Sequence, residues 1–465
     1  MKSRWPALAV LCAMQLMIIL DGTVVTVALP VLQAELGISQ AGLSWVVNSY
    51  LIAFAGLLLF AGRLGDLVGS RKVFQAGLAT FTLASLLCGV ATTPAMLIAG
   101  RFLQGVGAAL ASAVVLGMIV ALFPEPGEQA QAMGVYSFVS AGGASVGLIA
   151  GGVITETVGW PWIFLVNVPI GVVALVGGAR LLARTAGLGW RAGVDVVGAV
   201  LITAGLSLGV LTISRVPESG LHLGWAAASV VLLAAFVARQ ASTAQPLLRL
   251  RLFASREITG ANLVVVLVFA AGFGFQFLNA LYLQRVLGFD SLQTGLAFLP
   301  APLVIGAMSL FFSARLTARY GTRRVLLTGL LALAAGLLLL SRAPVGGDYW
   351  TDVAPSLLVQ GFGMGLTVPS VIMRAMAGAA PADAGLASGL NNTAQQAGAA
   401  VGLAVLATVA TARTDTLLGQ GTPDLTALRD GYSLAFQVAA GFVLAGVLVT
   451  YLLLTDTKTK ERIPA

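Results

Sequence analysis

Two ionisable residues stand where the sequence gives them no water. Asp21 lies inside an apolar run near residues 6–32, and Arg101 inside another near 95–122. A charge at the centre of a membrane helix costs roughly 2.5–3.5 kcal/mol on insertion scales, so it is kept there to pair, to hydrate or to titrate. Gln104, three residues beyond Arg101, shares its helical face and adds an amide to that side. At 1.5 Å per residue, Asp21 falls ~16 Å from the outer end of its run and Arg101 ~9 Å from the outer end of its own. A long guanidinium can close that gap. Two chemistries follow: a proton carrier tuned by a neighbouring cation, or a bare ion pair that eases insertion of both helices. No other acid lies deep in an apolar run.

Other chemistry finds no support. Cys12 and Cys88 sit in separate apolar runs, without metal-ligand spacing and too few for a disulfide framework. No catalytic triad, metal-ligand cluster or phosphate loop is present, and GxG pairs inside apolar helices serve packing. Neither an enzyme, a metal nor a cofactor is expected.

The elements that must position these charges are membrane helices. Of 465 residues, 58% are hydrophobic and 9% charged, with a mean hydropathy of +0.95; soluble domains carry nearer 25% charged residues. About 20 apolar residues span a bilayer. Fourteen such runs are legible, near 6–32, 43–61, 73–92, 95–122, 132–155, 161–182, 194–213, 224–238, 258–284, 292–312, 323–341, 351–373, 386–410 and 432–454. The first resembles a signal peptide at its start but continues past Asp21 without a small-residue cleavage site, so it is expected to stay as a helix.

The net charge of +8 is spread over short loops, which gives nucleic-acid binding no support. With both termini on one side, the opposite side receives only Arg215, Arg285, Arg342, Arg413 and Arg429. The positive-inside rule then places both termini in the cytoplasm. An Arg-rich, Lys-poor chain with abundant Ala, Gly and Val suggests a GC-rich bacterial genome, hence a multi-pass protein of a bacterial cytoplasmic membrane.

An internal repeat organises the runs. Gly62-Arg63-Leu64-Gly65-Asp66-Leu67-Val68-Gly69-Ser70-Arg71-Lys72 is echoed by Ala314 to Arg324; Arg63 and Arg315, like Gly69 and Gly321, are 252 residues apart. Gln104-Gly105 recurs 256 residues later as Gln360-Gly361, and Gly147 recurs loosely 255 residues later as Gly402. The expected architecture is all-α: a six-helix half over 1–190, two inserted helices over 191–250, and a second half over 251–465. Parallel six-helix repeats hold substrate near the midplane between halves. Gly143, Gly147 and Gly151 form a small-xxx-small face in the fifth run, suited to close helix packing. Asp195 at the start of the seventh run reads as an N-cap.

These segments resemble motifs of the major facilitator superfamily. The Gly62–Lys72 loop is similar to its motif A. The resemblance makes Arg63, Asp66, Gly69, Arg71 and Lys72 a cytoplasmic gate between the halves, asymmetric because Ala318 stands opposite Asp66. Arg101 to Ala109 resembles motif B, with Gly105 as a packing residue. Asp21 to Pro30 is similar to the helix-one motif of the fourteen-helix drug:proton antiporter family, with Thr26 where that family usually has Asn. Trp160 to Pro169 resembles its sixth-helix start. The fifth run matches motif C except that Leu148 stands in the place of proline.

The resemblance implies a proton-coupled exporter of hydrophobic, neutral or monocationic drugs or metabolites, working as a monomer. Asp21, Arg101 and Gln104 would carry the coupling. Asn48, Tyr50, Tyr136, Asn262, Phe273, Gln276, Asn279, Asn391, Gln395 and Gln396 are candidates for the cavity wall. An alternative with the same fold moves a lipid or cell-envelope precursor. A membrane enzyme or a non-transporting receptor is the reading least supported.

Overall fold

A computed structural model describes residues 4–183, 187, 189, 195–214, 222–243, 246–377 and 384–454. All regular structure among them is helical. The first half comprises α1 (Arg4–Leu36), α2 (Gln40–Val68), α3 (Ser70–Gly89), α4 (Pro94–Leu122), α5 (Pro126–Thr157), α6 (Pro161–Leu165) and α7 (Asn167–Leu181). Two further helices, α8 (Val196–Ser214) and α9 (His222–Ser242), follow. The second half comprises α10 (Arg256–Arg285), α11 (Ser291–Ala297), α12 (Pro300–Ala307), α13 (Ala314–Tyr320), α14 (Thr322–Leu340), α15 (Ala354–Ala377), α16 (Ala384–Gly419) and α17 (Asp424–Leu453). Lys2, Arg184, Arg191, Arg215, Lys458, Lys460 and Arg462 of the charge pattern lie outside the described residues.

Thirteen segments among the described residues are long and apolar enough to cross a membrane. The 32-residue α5, apolar over Val146–Thr157, occupies the fifth expected run. Two of the expected runs are not uniform helices. The sixth passes from α6 into α7 through Val166, which keeps helical φ and ψ, and loses one ladder bond where Pro169 withholds the N–H that the carbonyl four residues earlier would accept. The tenth is divided into α11, α12, a π-helical stretch over Met308–Ser313 and α13, with Pro300 opening α12. By contrast α5 runs unbroken, as expected with Leu148 in place of a kinking proline.

Helix ends follow local chemistry. Thr93 caps α4 by accepting from the Met96 amide, with Pro94 at the first helical position. Gly69 and Gly321, the repeat-related loop glycines, take φ of 98° and 84°, a left-handed region open to glycine at little steric cost. Each turn lets one helix fold back on the next.

The repeat is also a packing repeat. On Gly107 of α4 a Cβ would stand 2.7 Å from the Gly77 carbonyl of α3; on Gly363 of α15 it would stand 2.7 Å from the Gly329 carbonyl of α14. These pairs join equivalent helices of the two halves. Gly147 and Gly151 of α5 abut Thr23 and Val24 of α1, as Gly402 of α16 abuts Ala270 of α10. Gly143 meets Leu16 and Ile19. Without a hydrophobic drive between helices in lipid, such close backbone approach supplies the packing.

The additional helices sit beside the seam between halves. α8 packs on both α2 and α16, and α9 packs on α8. Asp195 caps α8 by accepting from the Gly198 amide, and also accepts from Arg239 and Gln240 of α9. Burial raises its proton affinity, but these donors outweigh it and hold the carboxyl below its ordinary range.

Among the described residues, hydrogen bonds join the halves directly at the end opposite the Gly69 and Gly321 turns. Gln284 donates to the Val27 carbonyl at 2.9 Å, Arg285 donates to Gln33, and the Ser291 amide donates to Glu156 at 2.9 Å.

Candidate functional site

Asp21, Arg101 and Gln104 meet in the interior of the first half. α4 presents Arg101 and Gln104 from adjacent turns, and α1 presents Asp21 opposite them. Arg101 Nη1 donates to Asp21 Oδ2 and, at 2.8 Å, to Gln104 Oε1. Gln104 Nε2 donates to Asp21 Oδ1 at 2.9 Å and to Ser85 Oγ of α3 at 2.8 Å. Arg101 Nε donates to the Val46 carbonyl of α2 at 3.0 Å. Both carboxylate oxygens are therefore engaged, one by a cation and one by an amide.

The site is sealed. Asp21 and Arg101 are each 1% exposed and Gln104 is 0% exposed. The guanidinium lies 4.6 Å from the Tyr50 ring centroid and 5.8 Å from that of Phe164, where aromatic faces supply cation–π attraction. Cys88 of α3 closes one side, its thiol 3.4 Å from Gln104 Oε1. Gly105 explains how α2 comes so near: a Cβ there would stand 2.4 Å from the Tyr50 carbonyl and 2.8 Å from Ala53 Cβ. The carboxylate is buried among α1, α2, α3 and α4. Thr26 turns its hydroxyl onto the Gly22 carbonyl of its own helix at 3.2 Å.

The loop after α2 forms a second cluster. Asp66 is 62% exposed by side chain and its ion-pair partner is Arg63, three residues back, at 3.7 Å. Arg71 donates to the Ala179 carbonyl of α7, while Lys72 is exposed. Gly69 makes the turn on which all of these depend.

The cavity-wall candidates are scattered. Tyr50 belongs to the sealed site. Asn48 of α2 and Asn279 of α10 are fully buried, with no hydrogen-bond partner for their amides among the described residues. Tyr136 donates to Gln15 Oε1 of α1. Asn391 accepts from Gln395 on its own helix, Asn262 donates to the Ile258 carbonyl, and Phe273 stacks on Phe269. Gln276 and Gln396 are partly buried on α10 and α16. A groove of about 470 Å³ between α2, α4 and α8 is lined by Trp45, Ser49, Ile52, Ile98, Phe102 and Ser207, among others, and by none of these candidates.

Two structural features escape sequence reasoning. Arg374, which the charge pattern assigns to a loop, is buried in α15 and donates to both Glu257 oxygens at 3.0 and 2.9 Å. The polar contacts between the halves at Val27, Gln33, Glu156, Gln284, Arg285 and Ser291 carry no motif. Only their place near the ends of apolar runs could have drawn attention to them.

Known proteins share this plan. The Major Facilitator Superfamily profile matches residues 11–403. A puromycin resistance protein of Streptomyces alboniger is 39% identical, covering 98% of this chain and 92% of its own length. A cephamycin export protein of Amycolatopsis lactamdurans is 40% identical, covering 96% and 91%. Among solved structures, an inward-facing, unoccupied bacterial homolog of the human lysosomal transporter Spinster superposes with a TM-score of 0.68 at 15% identity, covering 97% of each chain. The human organic anion transporter MFSD10 gives 0.62 at 17% identity, covering 97% of this chain and all of that one. At such identities the structural likeness speaks for the fold alone.

Proposed function

The chain belongs to the major facilitator superfamily of membrane transporters, and from that premise we propose that it is a proton-coupled exporter of antibiotic-like metabolites or drugs. The observation that carries the reading is the Asp21 network. Arg101 has partners other than Asp21: the Val46 carbonyl, Gln104 and the Tyr50 face. When Asp21 takes a proton the cation is not stranded, so the two protonation states differ by a local rearrangement rather than by an abandoned charge. A buried cation left without any partner would be prohibitive. One pH unit contributes about 1.4 kcal/mol per proton and 100 mV about 2.3 kcal/mol per charge moved, so a single carboxylate is sufficient to drive accumulation.

In this reading the halves, 1–190 and 251–465, rock about the binding region, and 191–250 lies beside their seam. The basic ends of the helices face the cytoplasm, so the contacts at Glu156, Gln284 and Arg285 close the outer side. Asp66 belongs to the inner gate. It is held in cis by Arg63 here and engages the second half when that side closes. Asp66→Ala is expected to slow turnover severalfold while leaving binding of substrate from the outer side within about twofold, since a screened surface charge contributes little at a distance. Single-turnover and equilibrium binding measurements in proteoliposomes check both halves of that expectation.

Substrate charge follows from the same geometry. Among the described residues Asp21 is the acid well inside a membrane-spanning helix, it is sealed, and Arg101 offsets it. A dication in a low-dielectric cavity would need two countercharges. Relatives named for puromycin resistance and cephamycin export support small-molecule cargo. A matched panel of neutral, monocationic and bis-cationic dyes, assayed in proteoliposomes with an imposed pH gradient, tests the proposal. Gradient-dependent export of the first two and slow export of the third is expected. Export indifferent to the gradient would refute proton coupling, and lipid scrambling without dye export would favour the envelope-precursor reading.

A further inference from the structure

Outside the Asp21 network, the seam between α5 and α11 joins the two halves by close backbone contact. It is built from two matched faces. On α5, Gly152 and Glu156 are four residues apart; on α11, so are Ser291 and Gly295, and residues at that spacing share a helical face. A Cβ on Gly152 would stand 2.7 Å from both Leu292 Cα and the Ser291 carbonyl, and one on Gly295 would stand 2.3 Å from the Leu148 carbonyl. The glycines thus let the two backbones touch. One turn beyond Gly152, Glu156 Oε1 accepts from the Ser291 amide at 2.9 Å. Ser291 is buried, and an amide at the start of a helix has no carbonyl of its own helix to bond.

We propose that Glu156 is the latch of the outer gate, holding α5 on α11 so that the outer side stays shut until the carboxylate lets go. A parallel seam, α1 on α10, is closed by Gln284 on the Val27 carbonyl and by Arg285 on Gln33. It gives the gate a second point of attachment. At the other end Asp66 is exposed and pairs within its own helix. Among the described residues, the outer contacts are thus made across the halves while the Asp66 carboxylate pairs within its own helix. The inference rests on the alternating-access part of the proposed function and not on proton coupling.

The latch penalises a single state. Without Glu156, which is itself exposed, the Ser291 amide loses its protein acceptor in the closed seam, whereas the open seam gives it full access to water. A buried donor left without its acceptor shifts such an equilibrium by about tenfold or more. Glu156→Gln keeps an acceptor oxygen and is expected to keep the seam closed.

The test measures distance rather than transport. Nitroxide labels at Val90→Cys and Val345→Cys, exposed sites of the first and second halves, report the outer separation of full-length protein in lipid nanodiscs. Cys12 and Cys88 are buried and stay in place. Double electron–electron resonance should give mainly the short distance for the parent and for Glu156→Gln. For Glu156→Ala the ratio of long to short separations should rise about tenfold. Gly295→Val should lengthen the distance by wedging the same seam without touching the carboxylate. Size-exclusion elution identifies any variant that fails to fold. A Glu156→Ala distribution superimposing on that of the parent would overturn the latch. Repeating the comparison in an Asp21→Asn background separates the two ideas: the lengthening should persist there whether or not Asp21 proves to carry the proton.

Discussion

Asp21→Asn is expected to abolish gradient-driven export while leaving energy-independent exchange of substrate across the membrane. The amide that replaces the carboxylate can still accept from Arg101 through its oxygen, while its NH2 faces the Gln104 Nε2 donor, so the network loses charge, titration and the bond from Gln104 but keeps its contact with the guanidinium. Driven accumulation should fall to below about one-tenth of the parent, since a tenfold gradient corresponds to about 1.4 kcal/mol per proton and no second deep acid can supply it. Everted vesicles loaded by a pH jump measure the driven rate, and counterflow in the same vesicles measures exchange. Retention of full driven export would remove Asp21 from the coupling. Loss of both activities with normal insertion would instead assign it to the transport path itself.

Arg101→Ala should have the largest effect on stability. It strands the Asp21 carboxylate in a site only 1% exposed and leaves the Val46 carbonyl and Gln104 Oε1 short of a donor. Removing one partner of a buried pair typically destabilises by about 3–5 kcal/mol. A lower apparent unfolding temperature in detergent is the expected result. Arg101→Lys should rescue only part of the loss. A single ammonium at the end of a flexible stem cannot reproduce a planar guanidinium that reaches Asp21, Gln104 and Val46 while lying on Tyr50. Neutralising both ends discriminates pairing from packing: Asp21→Asn with Arg101→Ala should be more stable than Arg101→Ala alone. Equal stability of the two would show that the charge on Asp21 contributes nothing to the site.

Much of the fold was legible because a bilayer admits so few solutions. With no water to satisfy backbone groups, long apolar runs must be helices, and the runs counted in the sequence recur as helices or broken helices. The repeat at Arg63 and Arg315 was equally legible, because the same turn with a left-handed glycine serves both halves. The interruptions at Pro169 and Pro300 were harder to read. Hydropathy measures partition into lipid and is blind to whether a helix is continuous.

Part of the site was legible for a related reason. Asp21, Arg101 and Gln104 stand out because charge and amide are expensive where they lie, and their depths made a meeting plausible. Sequence could not give the orientation of the meeting. Only the packing of α2 and α3 on α4, allowed by Gly105 and Gly107, encloses the pair and supplies Val46, Tyr50, Ser85 and Cys88 as its wall. The same limit applies to the contacts between halves. Glu156 and Ser291, or Arg285 and Gln33, are ordinary polar residues near helix ends. The sequence determined how many helices cross the membrane, which faces pack through glycine and which carboxylate lies too deep for solvation alone to keep. Which polar residues meet across the halves was decided by tertiary structure, because contacts separated by more than a hundred residues depend on how rigid helices dock, and no local pattern encodes that.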